Sequence, residues 1–292
     1  MMGDLLMVLA GGLKFGAIYA LAAIGLVAIH KATRVVNFAH GGLVLLGAFG
    51  TYVVVVDLGW PYWSAYLVVP LAVGLLAMAL EATVLERLRR ADLFAVVVGT
   101  IFLGTLLSES YRLAYNTEIL AVPGAISGPP IFLGDAIITR EQIWVAAGAL
   151  AAGLAGFLLF RFAGIGRSMR AMAANPRGAQ LCGYSIARVY ALAWFFGGAL
   201  AGLAGVFAAP SKGVAAELAT STIAAAFVAA VIGGFNSLGG AIVGGLILGM
   251  AETMAAAYIS SAAQTAVSFL LLFIVLLWRP EGLFPDAQAR RV

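Results

Sequence analysis

The sequence predicts an all-α polytopic membrane protein of about eight transmembrane helices plus one short half-helix. Three observations predict it. Of the 292 residues, 63% are hydrophobic and 10% are charged, whereas a soluble domain is about 45–50% apolar and about 25% charged. Mean hydropathy is +1.04. Apolar runs long enough to cross a bilayer recur along the whole chain, and the segments between them alternate between basic and not basic. The length suits one membrane domain, residues 1–292, better than a soluble domain with an anchor.

A transmembrane helix needs about 20 mostly apolar residues. On that rule the spans are 5–29, 35–56, 61–85, 93–115, 142–162, 188–209, 241–259 and 262–279. Met-Met-Gly-Asp at the start has no positive region before its apolar run. The first span is therefore expected to be a retained helix and not a cleaved signal. Residues 223–234 are apolar but cover only 12 positions. That is roughly 18 Å of helix against a core of about 30 Å. They predict a half-helix that enters the membrane and turns inside it or near its far face. The turn-rich run from Gly233 to Gly240 supplies the reversal.

Loop charges orient the spans, because Lys and Arg favour the cytoplasmic side. His30 to Arg34 is basic, as is the connection holding Arg87, Arg89 and Arg90. Asp57 to Pro61 has no Lys or Arg, and 116–141 has only Arg140 against Glu118, Asp135 and Glu141. Segment 161–188 carries five arginines and no acid. Residues 210–222 hold one Lys and one Glu, and the tail holds Arg279, Arg290 and Arg291. The alternation predicts the N-terminus outside and the C-terminus in the cytoplasm. It makes 116–141 the long outer loop, a cover for a cavity or a surface for an external partner.

Segment 161–188 is patterned beyond its charge. A helix is expected to start near Gly166 and to break at Asn175-Pro176, since the residue before proline avoids the helical region. A second short helix, 177–183, would end at Gly183, a residue suited to a helix terminus. Two short helices at an angle make a rigid knob. Elsewhere Gly197, Gly198, Gly202 and Gly205, and Gly240, Gly244, Gly245 and Gly249, repeat at helical spacing. Such small faces let helices approach closely in lipid.

Polar residues inside spans are candidates for function. Lys14 and Glu252 lie about 13 Å and about 10 Å from the outer ends of their spans by helical rise. Matched depth allows an ion pair, either as a lock between helices or as part of a pathway that orients a zwitterionic solute. Glu109 has Arg112 at i+3 as a partner. Glu81 reads as interfacial, in reach of headgroup water and Arg87. Asn37 to Gly42 opens the second span at its cytoplasmic end. There Asn37 and His40 can satisfy the backbone of a broken helix. Lys14, Asn37, His40, Asn236 and Glu252 are the candidate polar residues of a pathway.

Several chemistries are missing. No glycine is directly followed by lysine, so there is no nucleotide-binding P-loop. Cys182 is the single cysteine and the two histidines occupy one corner, so neither a zinc site nor a catalytic triad assembles. The formal net charge of +4 lies in loops between spans and not in a basic stripe with interleaved aromatics, which argues against nucleic acid.

Four stretches carry a resemblance. They are Gly16 to Leu26 with Val36 to Gly41 and Gly47-Ala-Phe, then Gly166 to Tyr184, then Gly233 to Glu252, then Arg279 to Phe284. In that order they resemble the branched-chain amino acid ABC importer permeases of the LivH/LivM type, the first stretch being nearer the LivH half. Phe49 and Tyr184 are mild departures from the family pattern. The resemblance implies a permease that is not itself an enzyme, in a bacterial inner membrane. It implies a homologous LivM-type permease partner, two cytoplasmic ABC ATPase subunits that bind ATP, and a periplasmic substrate-binding protein. This chain would bind no cofactor. Residues 161–188 become the ATPase-coupling loop, with Gly166, Arg167, Arg170, Asn175, Pro176, Ala179 and Gly183 as its candidate residues. The family also moves urea, short amides and other small acids, so the solute stays open at this point. The rival class is an ion-coupled secondary transporter, which would use Glu252 and the half-helix.

Overall fold

In the computed structural model the described residues are 2–88, 92–115 and 119–284. Arg89, Arg90, Glu118, Arg290 and Arg291 of the loop-charge argument lie outside them. Among the described residues eight helices are long and apolar enough to cross a membrane, with Glu217–Gly233 as a shorter apolar helix. The helices are α1 Met2–Thr33, α2 His40–Tyr52, α3 Tyr62–Leu80, the single turn α4 Glu86–Leu88, and α5 Leu93–Tyr115. After a two-stranded hairpin come α6 Arg140–Phe162, α7 Gly164–Ala174, α8 Pro176–Leu181 and α9 Ile186–Lys212. The chain ends with α10 Glu217–Gly233, α11 Leu238–Tyr258 and α12 Ser261–Trp278.

Four expectations change. First, the second span does not begin at residue 35. Residues 34–39 are non-helical, and α2 begins at His40. A Cβ built on Gly25 would lie 2.8 Å from the His40 ring, which sets His40 roughly 12 Å back from the Thr33 end of α1 by helical rise. A Cβ on Gly104, mid-way along α5, would meet Phe38 at 3.1 Å and Ala39 at 3.2 Å. The Asn37–Gly42 motif therefore sits at mid-depth of its neighbours and not at a membrane face. The chain leaves α1 and climbs back before it can coil, because Asn37 bends it. Asn37 Oδ1 accepts from Ala39 N at 3.0 Å, in competition with helical bonding.

Second, the half-helix is longer than its apolar run. The loop expected at 210–222 shrinks to residues 213–216: Pro210 to Lys212 finish α9, and Glu217 to Thr222 are the first turns of α10. Ser and Thr lower hydropathy there without stopping the helix. Thr220 and Ser221 return their hydroxyls to the Glu217 and Leu218 carbonyls at 3.1 and 3.3 Å. At 17 residues α10 reaches roughly 25 Å, still under a full core. Third, Glu81 is not interfacial. It is 2% exposed, because α3 continues into a π-helical turn, Glu81–Leu85, that packs on α9. Fourth, the outer loop contains a hairpin, β1 Ile131–Leu133 with antiparallel β2 Ala136–Ile138. Gly134 at φ +63 opens its two-residue turn.

Two compact units divide the chain. In the unit of residues 25–123 and 155–223, α9 is the axis. A Cβ on Gly47 of α2 would overlap Gly202, one on Gly205 would overlap the α2 backbone at Val44 and Ala48, and one on Gly198 would strike Ala77 of α3. The small face read from the sequence is what brings α2 and α3 onto α9. The Tyr62 hydroxyl adds a bond to the Val206 carbonyl at 2.9 Å. In the unit of residues 1–24, 124–154 and 224–292, α1 lies on α11. Cβ atoms on Gly245 and Gly249 would overlap the backbone of Ala20 and Gly16. The segment after α12 folds back beneath α10. Leu283 N and Phe284 N donate to the Ile232 and Gly233 carbonyls at 2.9 and 3.1 Å, closing the C-terminal end of that helix.

Candidate functional site

The arginine-rich segment folds as two short helices with a break between them. Asn175 is extended, at φ −152 and ψ 100, and its side-chain oxygen accepts from Gly178 N at 2.9 Å. It thus ends α7 and caps α8, while Pro176 takes the first helical position, where a missing N–H costs nothing. The helix ends at Leu181, two residues earlier than expected. Gly183 N donates to Gln180 O at 2.9 Å and Tyr184 N to Ala179 O at 3.0 Å. With Gly183 at φ +88 this is a Schellman ending, which favours glycine at that place. Asn175→Ala is expected to cost α8 about 0.5–2 kcal/mol of local stability. Faster amide exchange at Gly178 would report it, and unchanged exchange would refute the cap.

The knob is fixed to the membrane part at one corner. Gly166 packs on the Phe160 carbonyl so closely that a Cβ would overlap it. Arg170 bonds the same Phe160 carbonyl and donates to Arg161 O at 3.0 Å. Its guanidinium lies 5.6 Å from the centre of the Phe160 ring. Arg170 therefore satisfies the last carbonyls of α6, where a cation also suits the helix dipole. Arg34 does the same for α7, donating to Ala173 O at 3.0 Å. Among the described residues Arg34 is the non-glycine with positive φ, at 61. Met169 and Met172 are buried along the inner face of α7, and Ala179 is buried under α8. Arg167, Asn175, Pro176, Arg177, Gly183 and Arg188 are exposed, and Leu181 is 90% exposed at the tip. So the candidate arginines divide: Arg170 holds the knob, while Arg167 points out with Arg177.

The intramembrane candidates divide between the two units, Lys14, Asn236 and Glu252 in one and Asn37 and His40 in the other. Glu252 is 7% exposed, and Lys14 is not its partner; no ion pair joins them among the described residues. Gly12 and Gly16 face α11. Lys14 is two residues from each, about 160° round the helix, and so points elsewhere. Glu252 instead accepts from the Tyr19 hydroxyl at 2.8 Å, the Gln264 amide at 3.3 Å and the Ser268 hydroxyl. The carboxylate ties α1, α11 and α12 together with every donor neutral. Asn37 and His40 are fully buried at the break before α2, and the Asn37 amide nitrogen has no hydrogen-bond partner among the described residues. Asn236 is half-buried in the α10–α11 turn, where Ser237 Oγ caps α11 through Gly240 N at 3.0 Å. Tyr19, Gln264, Ser268 and Arg34 were not among the candidates. The sequence signal for two of them is the i,i+4 spacing of Gln264 and Ser268; Arg34 carries only the signal of a loop charge.

Residues 8–276 match the profile of the family described as branched-chain amino acid transport system / permease component. The chain is 29% identical over 296 aligned residues to the high-affinity branched-chain amino acid transport system permease protein LivH of Escherichia coli K12, covering 96% of each chain. It is 27% identical to the corresponding permease protein BraD of Pseudomonas aeruginosa, covering 97% of each. Among solved structures it is similar to PsaBC from Streptococcus pneumoniae in complex with Fab, at 14% identity and a TM-score of 0.52, over 96% of this chain and 97% of that one. That last likeness speaks for the fold.

Proposed function

The chain belongs to the branched-chain amino acid transport system permease family, and on that footing we propose that it is the membrane subunit of an ATP-binding-cassette importer that moves branched-chain and other hydrophobic amino acids inward. Residues 1–292 act as one permease domain in a bacterial inner membrane, with the N-terminus outside and the C-terminus in the cytoplasm. A homologous LivM-type permease completes the pathway. Two cytoplasmic ATPase subunits bind and hydrolyse ATP, which this chain does not bind, and a periplasmic binding protein delivers the solute to the outer side.

One observation carries the reading: the knob of α7 and α8. It is rigid at its base through Gly166, Arg170 and Arg34, broken at Asn175, and exposes Arg167, Arg177 and Leu181. An exposed leucine with Arg177 one helical turn before it is a surface for a protein with an acidic cleft, since Arg is among the residues that anchor interfaces. A rigid knob transmits a push that a floppy loop would absorb. ATP-driven closure of the ATPases thus rocks the spans between outward- and inward-facing forms.

The test is uptake of radiolabelled leucine into proteoliposomes holding the chain with its permease and ATPase partners and the binding protein. Uptake should require all of them and internal or external ATP on the ATPase side. Leucine uptake by this chain alone, driven by an ion gradient, would make it a secondary transporter. ATP-dependent uptake of urea or a short amide in place of leucine would replace the solute class and keep the machinery.

A further inference from the structure

We propose that the groove between α2, α5 and the first turns of α10 is this chain's wall of the solute pathway, and that it holds an aliphatic α-amino acid by both charges of its head group. The proposal rests on the importer reading and adds a binding site to it. Thr105, Ser108, Glu109 and Arg112 recur along α5 at i, i+3, i+4 and i+7, which puts them on one face. They line a cavity of about 430 Å³ together with Glu217 and Thr220 of α10. The hydroxyls of Thr105 and Ser108 return to the Ile101 and Gly104 carbonyls at 3.1 and 3.0 Å, and lipid would tolerate those. It would not tolerate Glu109, six residues or roughly 9 Å from the end of α5. The neighbouring face, roughly 90° round the helix, exposes Phe102, Leu106 and Leu113 and is the lipid-facing one. A charged stripe beside a lipid face belongs to water or to a ligand.

The charges are arranged for a zwitterion. The Arg112 guanidinium lies between two carboxylates, 3.3 Å from Glu109 and 3.5 Å from Glu217. The three side chains are 44%, 49% and 77% exposed, so the cluster is open to a ligand. A simple anion would meet two carboxylates, and a simple cation would meet the guanidinium. A molecule carrying both charges meets a partner for each: its carboxylate replaces that of Glu217, the most exposed of the three side chains, on the Arg112 guanidinium, and its ammonium takes the Glu217 carboxylate so released. The other end of the groove is apolar, closed by Phe38, Ile101 and Ile223. Ile223 is six residues from Glu217, roughly 9 Å deeper by helical rise. A charged mouth above an apolar floor fits a compact amphiphile with a hydrocarbon side chain, and a sugar would leave its hydroxyls unpaired on that floor. The floor is held in place by glycine. A Cβ on Gly41 would overlap the Ala219 carbonyl, and one on Gly42 would lie 2.9 Å from Leu107.

The test is cysteine accessibility in the assembled transporter in vesicles. The probe is a membrane-impermeant methanethiosulfonate, measured against the chain carrying its native Cys182 alone. Thr105→Cys and Ser108→Cys should react, and Leu106→Cys should not. Saturating leucine should slow the reaction at the first two by at least about tenfold, and Arg112→Gln or Glu217→Gln should remove most of that protection, as loss of a charge-assisted hydrogen bond predicts. The Arg112 and Glu217 side chains are 44% and 77% exposed, so neither substitution disturbs a buried core. Silence at Thr105→Cys and Ser108→Cys would place the stripe in lipid and overturn the proposal. Reaction without protection, in vesicles that do take up leucine, would overturn the site and leave the importer reading intact. Vesicles that take up no leucine at all would overturn that reading first, and the site with it.

Discussion

Replacing Gly166 with valine is expected to cut ATP-driven uptake severalfold or more while the chain still inserts and assembles. The reason is local. A Cβ at this position would overlap the Phe160 carbonyl oxygen and crowd its carbon and Cα. Backbone cannot swing aside as a side-chain tip can. The start of α7 must then lift off the end of α6. That movement also breaks the hold of Arg170, whose guanidinium bonds the carbonyls of Phe160 and Arg161. Overpacking of this kind costs about 1–3 kcal/mol, and about 1.4 kcal/mol is a factor of ten in population. Uptake per vesicle should therefore fall about fivefold to about a hundredfold, with stimulation of ATP hydrolysis by the loaded binding protein falling in step. Gly164→Val is the control. A Cβ there would meet only the flexible Arg167 side chain, at 3.8 Å, so uptake should survive. Equal loss in both variants, or none in either, would show that the α6–α7 corner does not carry the coupling.

The knob was legible from sequence because its signals are local. Asn175-Pro176 forbids a continuous helix whatever surrounds it, and Gly183 supplies a left-handed ending that few other residues can adopt. The spans were legible for the same reason, since 93–115 needs only its own hydropathy to be found. What stayed hidden was depth and pairing. The polar first turns of α10 look like loop to a hydropathy window, yet their hydroxyls bond within the helix. Asn37 to Gly42 looks like a span edge, and only Gly25 of α1 and Gly104 of α5 reveal that it lies far inside. Glu81 looks like a headgroup residue until a π turn packs it on α9. Depth along a helix says nothing about its azimuth, and azimuth is what separates Lys14 from Glu252.

That separation gives the second large effect, now on stability. Glu252→Leu is expected to destabilise the α1–α11–α12 cluster, whereas Lys14→Met should stay within about 0.5 kcal/mol. Glu252 is the shared acceptor for Tyr19, Gln264 and Ser268. Removing it strands buried donors, each costing about 1–3 kcal/mol. Two things reduce the total. The Ser268 hydroxyl can fall back on the Gln264 carbonyl, 3.1 Å away. A chain unfolded within the membrane also finds substitute partners, so polar pairs there average only about 0.6 kcal/mol. Tyr19 is 3% exposed, so its hydroxyl loses a buried carboxylate acceptor. We expect about 1–3 kcal/mol for Glu252→Leu and roughly half for Glu252→Gln, which keeps one acceptor oxygen. A double-mutant cycle on the thermal transition in detergent decides the partner. Tyr19→Phe with Glu252→Gln should couple by about 1 kcal/mol, and Lys14→Met with Glu252→Gln by less than about 0.5 kcal/mol. Strong coupling in the second cycle would restore the ion pair that matched depth alone suggests. Coupling confined to the first makes Glu252 a neutral-donor lock between α1, α11 and α12.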